Sequence, residues 1–254
     1  MDLTSILTNI AVGVAGLALG ALVNRVVARL PRERGLGGPA HCTRCGRALA
    51  WWQQLPLIGW LAQGGRGRCC GRPLHWIFPL NELLVAAALV LFHLRYGLTT
   101  SFFYLAFVAL VLVLTGAIDW LHRSIYTFVI LGAALATLAV SFAIPHHSFL
   151  NALLGALLAG FVFAIFFALA RLLFPSTAVP FGLGDVYLAI FIGAALGLLR
   201  LMPAIFYGMV LAGLFSLALL ALRAAGRPNV PQYISYGSFL CLGALAYLVA
   251  WGLN

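Results

Sequence analysis

The chain contains no lysine and very little acid. Five acidic residues stand against fifteen basic ones, all arginine, and charged residues make up only 8% of the 254 positions. Soluble domains carry roughly 25% charge, so no water-soluble fold could hide a chain that is 64% hydrophobic. Charge-free stretches run over 3–24, 96–118, 124–170, 201–222 and 228–254. A helix needs about 20 apolar residues to cross a hydrocarbon core about 30 Å thick. Since a bilayer core leaves the backbone no water to bond with, these stretches read as helices. The expected fold is all-α: a polytopic integral membrane protein.

The net charge of +10 resembles that of nucleic-acid binders, but nine of the fifteen arginines fall between Arg25 and Arg72, in and beside the one long polar segment. That placement fits membrane topology and contact with anionic lipid headgroups, and no nucleic-acid partner is expected. The N-terminal run opens Met1-Asp2-Leu3 without basic residues and is followed by Arg25, Arg29, Arg32 and Arg34. It reads as a retained anchor, not a cleaved signal.

Apolar runs and turn formers place about eight spans, near 4–24, 77–94, 100–120, 124–144, 149–171, 183–199, 202–222 and 233–253. The long run 124–170 is broken at Pro145-His146-His147-Ser148 and reads as a hairpin. All arginines except Arg95 and Arg200 then share one side, which the positive-inside rule makes cytoplasmic. Both termini are expected outside, in the periplasm of a bacterial inner membrane. Three parts follow: a first transmembrane helix (1–24), a cytosolic Arg/Cys-rich loop (25–76) and a seven-helix membrane core (77–254). Gly13, Gly16 and Gly20 would let the first helix pack tightly.

Of the five acids, Asp2 and Glu33 lie in polar flanks, whereas Glu82, Asp119 and Asp185 fall in or at the ends of apolar runs. An ionised carboxylate there costs about 2.5–3.5 kcal/mol at mid-bilayer, so each is a functional candidate. Two spans separate Asp119 from Asp185, which returns both to the cytoplasmic face. Residues 186–199 supply too short a helix to cross the bilayer, so the sixth span is expected to begin before Asp185 and Asp119 to lie at matching depth if the third span continues to His122. Two carboxylates in a partly dry pocket cannot both ionise cheaply, which leaves one as acid and one as base. Gly182 and Gly184 offer backbone that a substrate strand can approach. Membrane aspartates also serve as structural hydrogen-bonding groups or in ion paths, so a noncatalytic scaffold or small transporter of an export system stands as the alternative. His122 and Arg123 fit the basic end of a cytoplasmic helix, and His146 and His147 the opposite turn.

The Gly182-Leu183-Gly184-Asp185 motif, an upstream aspartate at a helix end and a cysteine-bearing loop together resemble the bacterial type IV prepilin peptidases. The likeness extends over Gly20 to Pro31, Leu55 to Leu61, Pro79-Leu80-Asn81-Glu82 and Tyr236-Gly237-Ser238-Phe239-Leu240. It implies a bifunctional enzyme that removes the leader of type IV prepilins or pseudopilins and then methylates the new N-terminus with S-adenosylmethionine. Asp119 and Asp185 would be its catalytic pair. Glu82, on the same side, is a candidate for the methyl donor or the substrate amino terminus, or simply a favourable acid at a helix start. Departures from the family pattern fall at Ile125-Tyr126-Thr127, at Tyr187 and at Gly67, where the family has a cysteine.

Cys42-Thr43-Arg44-Cys45 is a CxxC turn, and Cys69-Cys70 follow. Two CxxC turns would chelate one tetrahedral zinc; adjacent cysteines are a poorer chelate. A site of Cys42, Cys45 and Cys70 completed by Cys69, His41 or His75 would brace a loop too small for its own core, and free or redox-active thiols are the other reading. Cys241 reads as a packing residue.

Overall fold

The computed structural model describes residues 3–32, 41–42, 45–145, 147–173, 182–227, 231 and 234–253. Among them the regular structure is helical: α1 (Leu3–Arg29), α2 (Ile58–Ala62), α3 (Ile77–Tyr96), α4 (Thr100–His122), α5 (Thr127–Val140), α6 (Phe149–Leu173), α7 (Leu183–Leu196), α8 (Leu198–Ala224) and α9 (Tyr236–Trp251). Isolated antiparallel bridges join His41 to Ala48 and Arg66 to Pro73. All but α2 are apolar and fall at the eight expected spans, α5, α7 and α9 being the short ones. Five stretches are long and apolar enough to cross a membrane: Leu3–Arg32, Ile77–Tyr96, Thr100–His122, Phe149–Leu173 and Leu198–Ala224. The chain is a multi-pass membrane protein.

The fourth, sixth and eighth spans are shorter than the sequence implies. After Val140 the α5 helix tightens into a 3-10 turn, Ser141–Ala143. The α7 helix covers Leu183–Leu196 and not 183–199, because Gly197 turns to φ 79 and ends it, its N–H donating to the Gly193 carbonyl at 2.8 Å. The Asn151 side chain then accepts the Leu198 N–H at 3.0 Å, so α8 begins at once. With 14 residues α7 rises about 21 Å, less than a hydrocarbon core. It begins only two residues before Asp185, which stands in its first turn. His146 lies outside the described residues.

The chain divides into two compact units, Met1–Ala117 and Ile118–Asn254. In the first, α1 packs on α3, and the glycine spacing explains the closeness. A Cβ on Gly16 would fall 2.6 Å from the Ala86 Cα, and one on Gly20 would fall 2.6 Å from the Glu82 Cα. In the second unit α6 pairs with α7 and α8 with α9, while α7 also packs on α5, α8 and α9. Glycine again sets the crossings: a Cβ on Gly193 would meet the Gly155 carbonyl oxygen at 2.3 Å, and one on Gly243 the Gly208 nitrogen at 2.2 Å. Without a hydrophobic drive between helices in lipid, such backbone contact is what association rests on. The α7 helix is apolar all round and buried on nearly every side, as a helix with no solvent-facing stripe must be. It carries Asp185 into the centre of its unit.

Candidate active site and metal centre

Asp119 lies in the last turn of α4 and is 7% exposed. Its Oδ2 accepts two hydrogen bonds from Ser238, the backbone N–H at 2.8 Å and the hydroxyl at 3.1 Å. Ser238 is the third residue of α9, so its N–H is one of the donors a helix start leaves without an intrahelical partner. Asp119 thereby caps a helix remote from it in sequence. Gly237 makes this approach feasible: a Cβ there would press on Asp119 Oδ2 at 3.0 Å.

Asp185 is 8% exposed and occupies the third position of α7, where its Oδ2 reaches back to accept the Gly182 N–H at 3.1 Å. The reciprocal half of a capping box is absent because Gly182 has no side chain. Both carboxylates thus rest against the positive end of a helix, one of its own and one borrowed.

One side chain ties the two settings together. Ile125 packs against Gly184, where a Cβ would fall 2.9 Å from its own Cβ, and against Gly237, where a Cβ would lie 3.0 Å from its Cδ1. Asp119 and the Tyr236 phenol both lie within electrostatic reach of Asp185. Among the described residues, the hydrogen bonds of both carboxylates fall on Oδ2, so Oδ1 of each remains for water or a ligand. Two buried acids sharing one neighbourhood are suited to hold a single proton between them. Arg123, with φ 53 at the turn closing α4, adds positive charge near Asp119; His122 ends that helix. Phe181 lies outside the described residues.

Ser238, Gly237 and Ile125 had no role assigned from the sequence. Gly237 and Ser238 lay in one of the stretches that carry the family likeness, but nothing local says which acid Ser238 meets.

Glu82 belongs to the other unit and is 8% exposed. Its Oε1 accepts the Asn24 amide at 2.9 Å and its Oε2 accepts the Leu57 N–H. Asn24 also donates to the Phe78 carbonyl at 2.8 Å and accepts from Asn81 at 2.9 Å. Leu57 stands at φ 56, a left-handed conformation that costs a leucine about 1–3 kcal/mol. Glu82 therefore holds a strained turn at the start of α2. It also lines a cavity of about 470 Å³ beside α1.

The cysteines come together more closely than their spacing implies. The ligand sulfurs of Cys42, Cys45, Cys69 and Cys70 all lie within 4.8 Å of one another, and a tetrahedral ion at about 2.3 Å from each would set them near 3.8 Å apart. Two turns of the same build carry them. In one, Cys42 N–H donates to Arg47 O at 2.8 Å and Gly46 N–H to Cys42 O at 2.9 Å; in the other, Gly67 N–H donates to Arg72 O at 2.9 Å and Gly71 N–H to Gly67 O at 2.7 Å. Gly46 (φ 76) and Gly71 (φ 67) close them in the left-handed region. Gly67 thus holds the place that Cys42 holds in the first turn. A Cβ there would sit 3.4 Å from Cys70 Sγ and 3.5 Å from Cys42 Sγ. Cys69 supplies the fourth sulfur from the next corner, so the adjacent cysteines are not the handicap that chelate spacing alone implies.

Two of the thiols are shifted in opposite directions. The Cys45 thiol is pulled down to about 7, first by the Arg47 backbone N–H and then by Cys69, whereas Cys69 is pushed up to about 12, chiefly by its hydrogen bond to Cys45 at 3.1 Å. One thiolate is ready, and its neighbour keeps a proton until a cation replaces it. These four cysteines are positioned to bind a metal.

Residues 14–96 match the bacterial peptidase A24 N-terminal domain and residues 105–217 match the type IV leader peptidase family. A prepilin leader peptidase/N-methyltransferase of Myxococcus xanthus is 31% identical over 215 residues, 84% of this chain and 63% of that protein. One of Bacillus subtilis is 29% identical over 231 residues, 89% of this chain and 90% of that protein. One of Klebsiella pneumoniae is 38% identical over 84 residues, 30% of this chain and 37% of that protein. The chain therefore spans less than two thirds of the Myxococcus and Klebsiella relatives. No solved structure matches. The two matched segments follow one another along most of the sequence, and the second contains both buried aspartates: the chain belongs to the type IV leader peptidase family.

Proposed function

We propose that this protein is a membrane aspartic endopeptidase that removes the leader of type IV prepilins or pseudopilins and then methylates the new N-terminus. The observation that carries the reading is the pair of buried carboxylates, Asp119 and Asp185, each anchored through Oδ2 at a helix start and joined across Ile125. With one proton between them, the ionised carboxylate takes a proton from a water molecule whose oxygen attacks the scissile carbonyl. The protonated one donates to the carbonyl oxygen as it becomes anionic. Collapse of the tetrahedral adduct delivers a proton to the leaving amine and restores the shared state. Gly182 and Gly184 are the backbone that would accept a substrate strand alongside Asp185. Family kinship supports this over a noncatalytic scaffold or transporter, in which the same acids would only hold helices together.

For orientation, the arginine distribution supports a bacterial inner membrane setting with 25–76 and the dyad on the cytoplasmic side and both termini in the periplasm. The parts 1–24, 25–76 and 77–254 are the anchor, the metal loop and the membrane core. The metal proposed at Cys42, Cys45, Cys69 and Cys70 is a structural zinc, as an all-thiolate set prefers. S-adenosylmethionine would supply the methyl group. Glu82 is the acid assigned to it, lining a cavity whose size falls within the range of small-molecule sites.

Co-expression with a prepilin tests the reading. Asp119→Asn and Asp185→Asn should each lower leader removal by at least about a thousandfold, as loss of a catalytic group does. Native rates in either variant would sink the aspartyl mechanism. Mass spectrometry of the processed N-terminus tests methylation, and an unmethylated, fully processed product would leave a peptidase alone.

A further inference from the structure

Between Arg47 and Arg66 the loop carries no charge, and tryptophan stands there three times, at Trp51, Trp52 and Trp60. The short helix α2 lies in this stretch. Ile58 and Leu61 are one turn apart on it and so share a face. That face points outward: Ile58 is 61% exposed and Leu61 58%, and Leu55, at the turn before α2, is 39% exposed. Gly59 between them is buried, and a Cβ there would fall 2.4 Å from the Gln53 carbonyl oxygen. The helix thus turns its glycine to the protein and its large aliphatic side chains away from it.

The depth of this face in the membrane follows from the two spans that hold it. The α3 helix has 20 residues and rises about 30 Å, the whole thickness of the hydrocarbon, so Ile77 stands at its edge and Glu82 about 7.5 Å inside. Gly20 of α1 lies level with Glu82, and Asn24 donates to the Phe78 carbonyl at 2.8 Å, which puts Arg25 at the same edge. Two hydrogen bonds fasten the loop there. Arg25 donates to the Gln54 side chain at 2.9 Å, and the Leu57 N–H donates to the Glu82 carboxylate. Trp76, the residue before α3, is 52% exposed at that level, the depth at which tryptophan collects in membrane proteins. Lipid already covers the spans here, since Leu83, next to Glu82, is exposed.

We propose that Leu55, Ile58, Leu61 and Trp76 form a membrane-interface anchor, with α2 lying in the plane of the bilayer surface and this face set among the glycerol groups and upper acyl chains. With 5 residues α2 is far too short to cross. The uncharged stretch between Arg47 and Arg66 brings no ion into the boundary that would have to be desolvated. The bilayer fits this face better than a protein partner does, because the hydrogen bonds to α1 and α3 hold it at a depth where lipid is the surrounding medium. The inference rests on the membrane reading of α1 and α3, not on the peptidase chemistry.

The test is photolabelling of the full chain in vesicles of phosphatidylcholine and phosphatidylglycerol, without substrate, from phospholipids that carry a diazirine near the glycerol or at the acyl terminus. After illumination and cleavage at arginine, mass spectrometry locates the adducts. The peptide 48–66 should be labelled at Leu55, Ile58 or Leu61, about tenfold more from the diazirine near the glycerol, as a segment buried only about 5–10 Å requires. The cysteine turn at 67–73 should stay unlabelled. Ile58→Asp combined with Leu61→Asp should lower labelling of the 48–66 peptide about tenfold and leave that of α3 unchanged. If that variant fails to fold, the wild-type depth profile decides alone. A 48–66 peptide without adducts while α3 is labelled, or equal labelling from both depths, would overturn the proposal. So would labelling that a saturating prepilin abolishes, which would make the face a docking site for substrate.

Discussion

At the scale of single residues, the arrangement turns on Ser238. A carboxylate at the start of a membrane helix gains from the helix dipole and from unpaired N–H groups, and Asp119 takes both through this one residue. Ser238→Ala removes the hydroxyl donor but keeps the backbone one. A hydrogen bond to a charged group is worth about 1.5–3 kcal/mol, so kcat for leader removal should fall about 10- to 100-fold with KM nearly unchanged; Ser238→Thr should restore most of it. A KM effect with kcat intact would mean that Ser238 meets the substrate rather than positioning Asp119. Another residue-scale expectation concerns His147, 1% exposed in the turn between α5 and α6, whose Nε2–H donates to the Ala194 carbonyl at 3.1 Å. Burial holds its imidazolium below the ordinary histidine range, with Arg200 adding to the effect. The folded form therefore favours neutral His147; that stability is fully present above about pH 6.5 and is lost as pH falls below it. Thermal unfolding followed from pH 7.5 to 5 should show the wild type losing up to about 1.4 kcal/mol per pH unit more than His147→Gln. Parallel curves would remove this account.

At the scale of elements, glycine decides which helices can touch. Gly193 and Gly155 bring the α7 and α6 backbones into contact, and no side-chain rotation could relieve a Cβ placed 2.3 Å from a carbonyl oxygen. Gly193→Ala should therefore destabilise the second unit by about 1–3 kcal/mol. Gly132→Ala in α5, where a Cβ meets nothing within 4 Å, should be neutral or slightly stabilising. Comparing the two by unfolding in mixed detergent isolates the close approach from helix propensity. The cysteine turns are the other element whose form depends on a few atoms. Cys42→Ser and Cys45→Ser should each abolish stoichiometric zinc, measured by elemental analysis, and expose 41–73 to protease. Full zinc content in both variants would place the metal elsewhere.

At the scale of the whole molecule, composition alone required helices in a membrane: a chain with 8% charge and long apolar runs has no other way to satisfy its backbone. The spans were legible because charges and turn formers punctuate them, and Asp119 and Asp185 stood out because a carboxylate inside an apolar run is costly. Helix ends were less legible. The stop of α7 at Leu196 depends on Gly197 adopting a positive φ and on Asn151 receiving the next N–H, a contact across the fold that no local pattern announces. The same holds for Ser238 on Asp119, for Ile125 between Gly184 and Gly237, and for Glu82 holding the strained Leu57. Cys69 joining the sulfur cluster needed both turns in space before Gly67 could be seen to yield its place. Hydrophobicity and charge act residue by residue, so the sequence by itself determined the membrane setting, the spans and the candidate acids. Hydrogen bonds and backbone contacts join residues far apart in the chain, so only the tertiary structure decided which groups hold those acids in place.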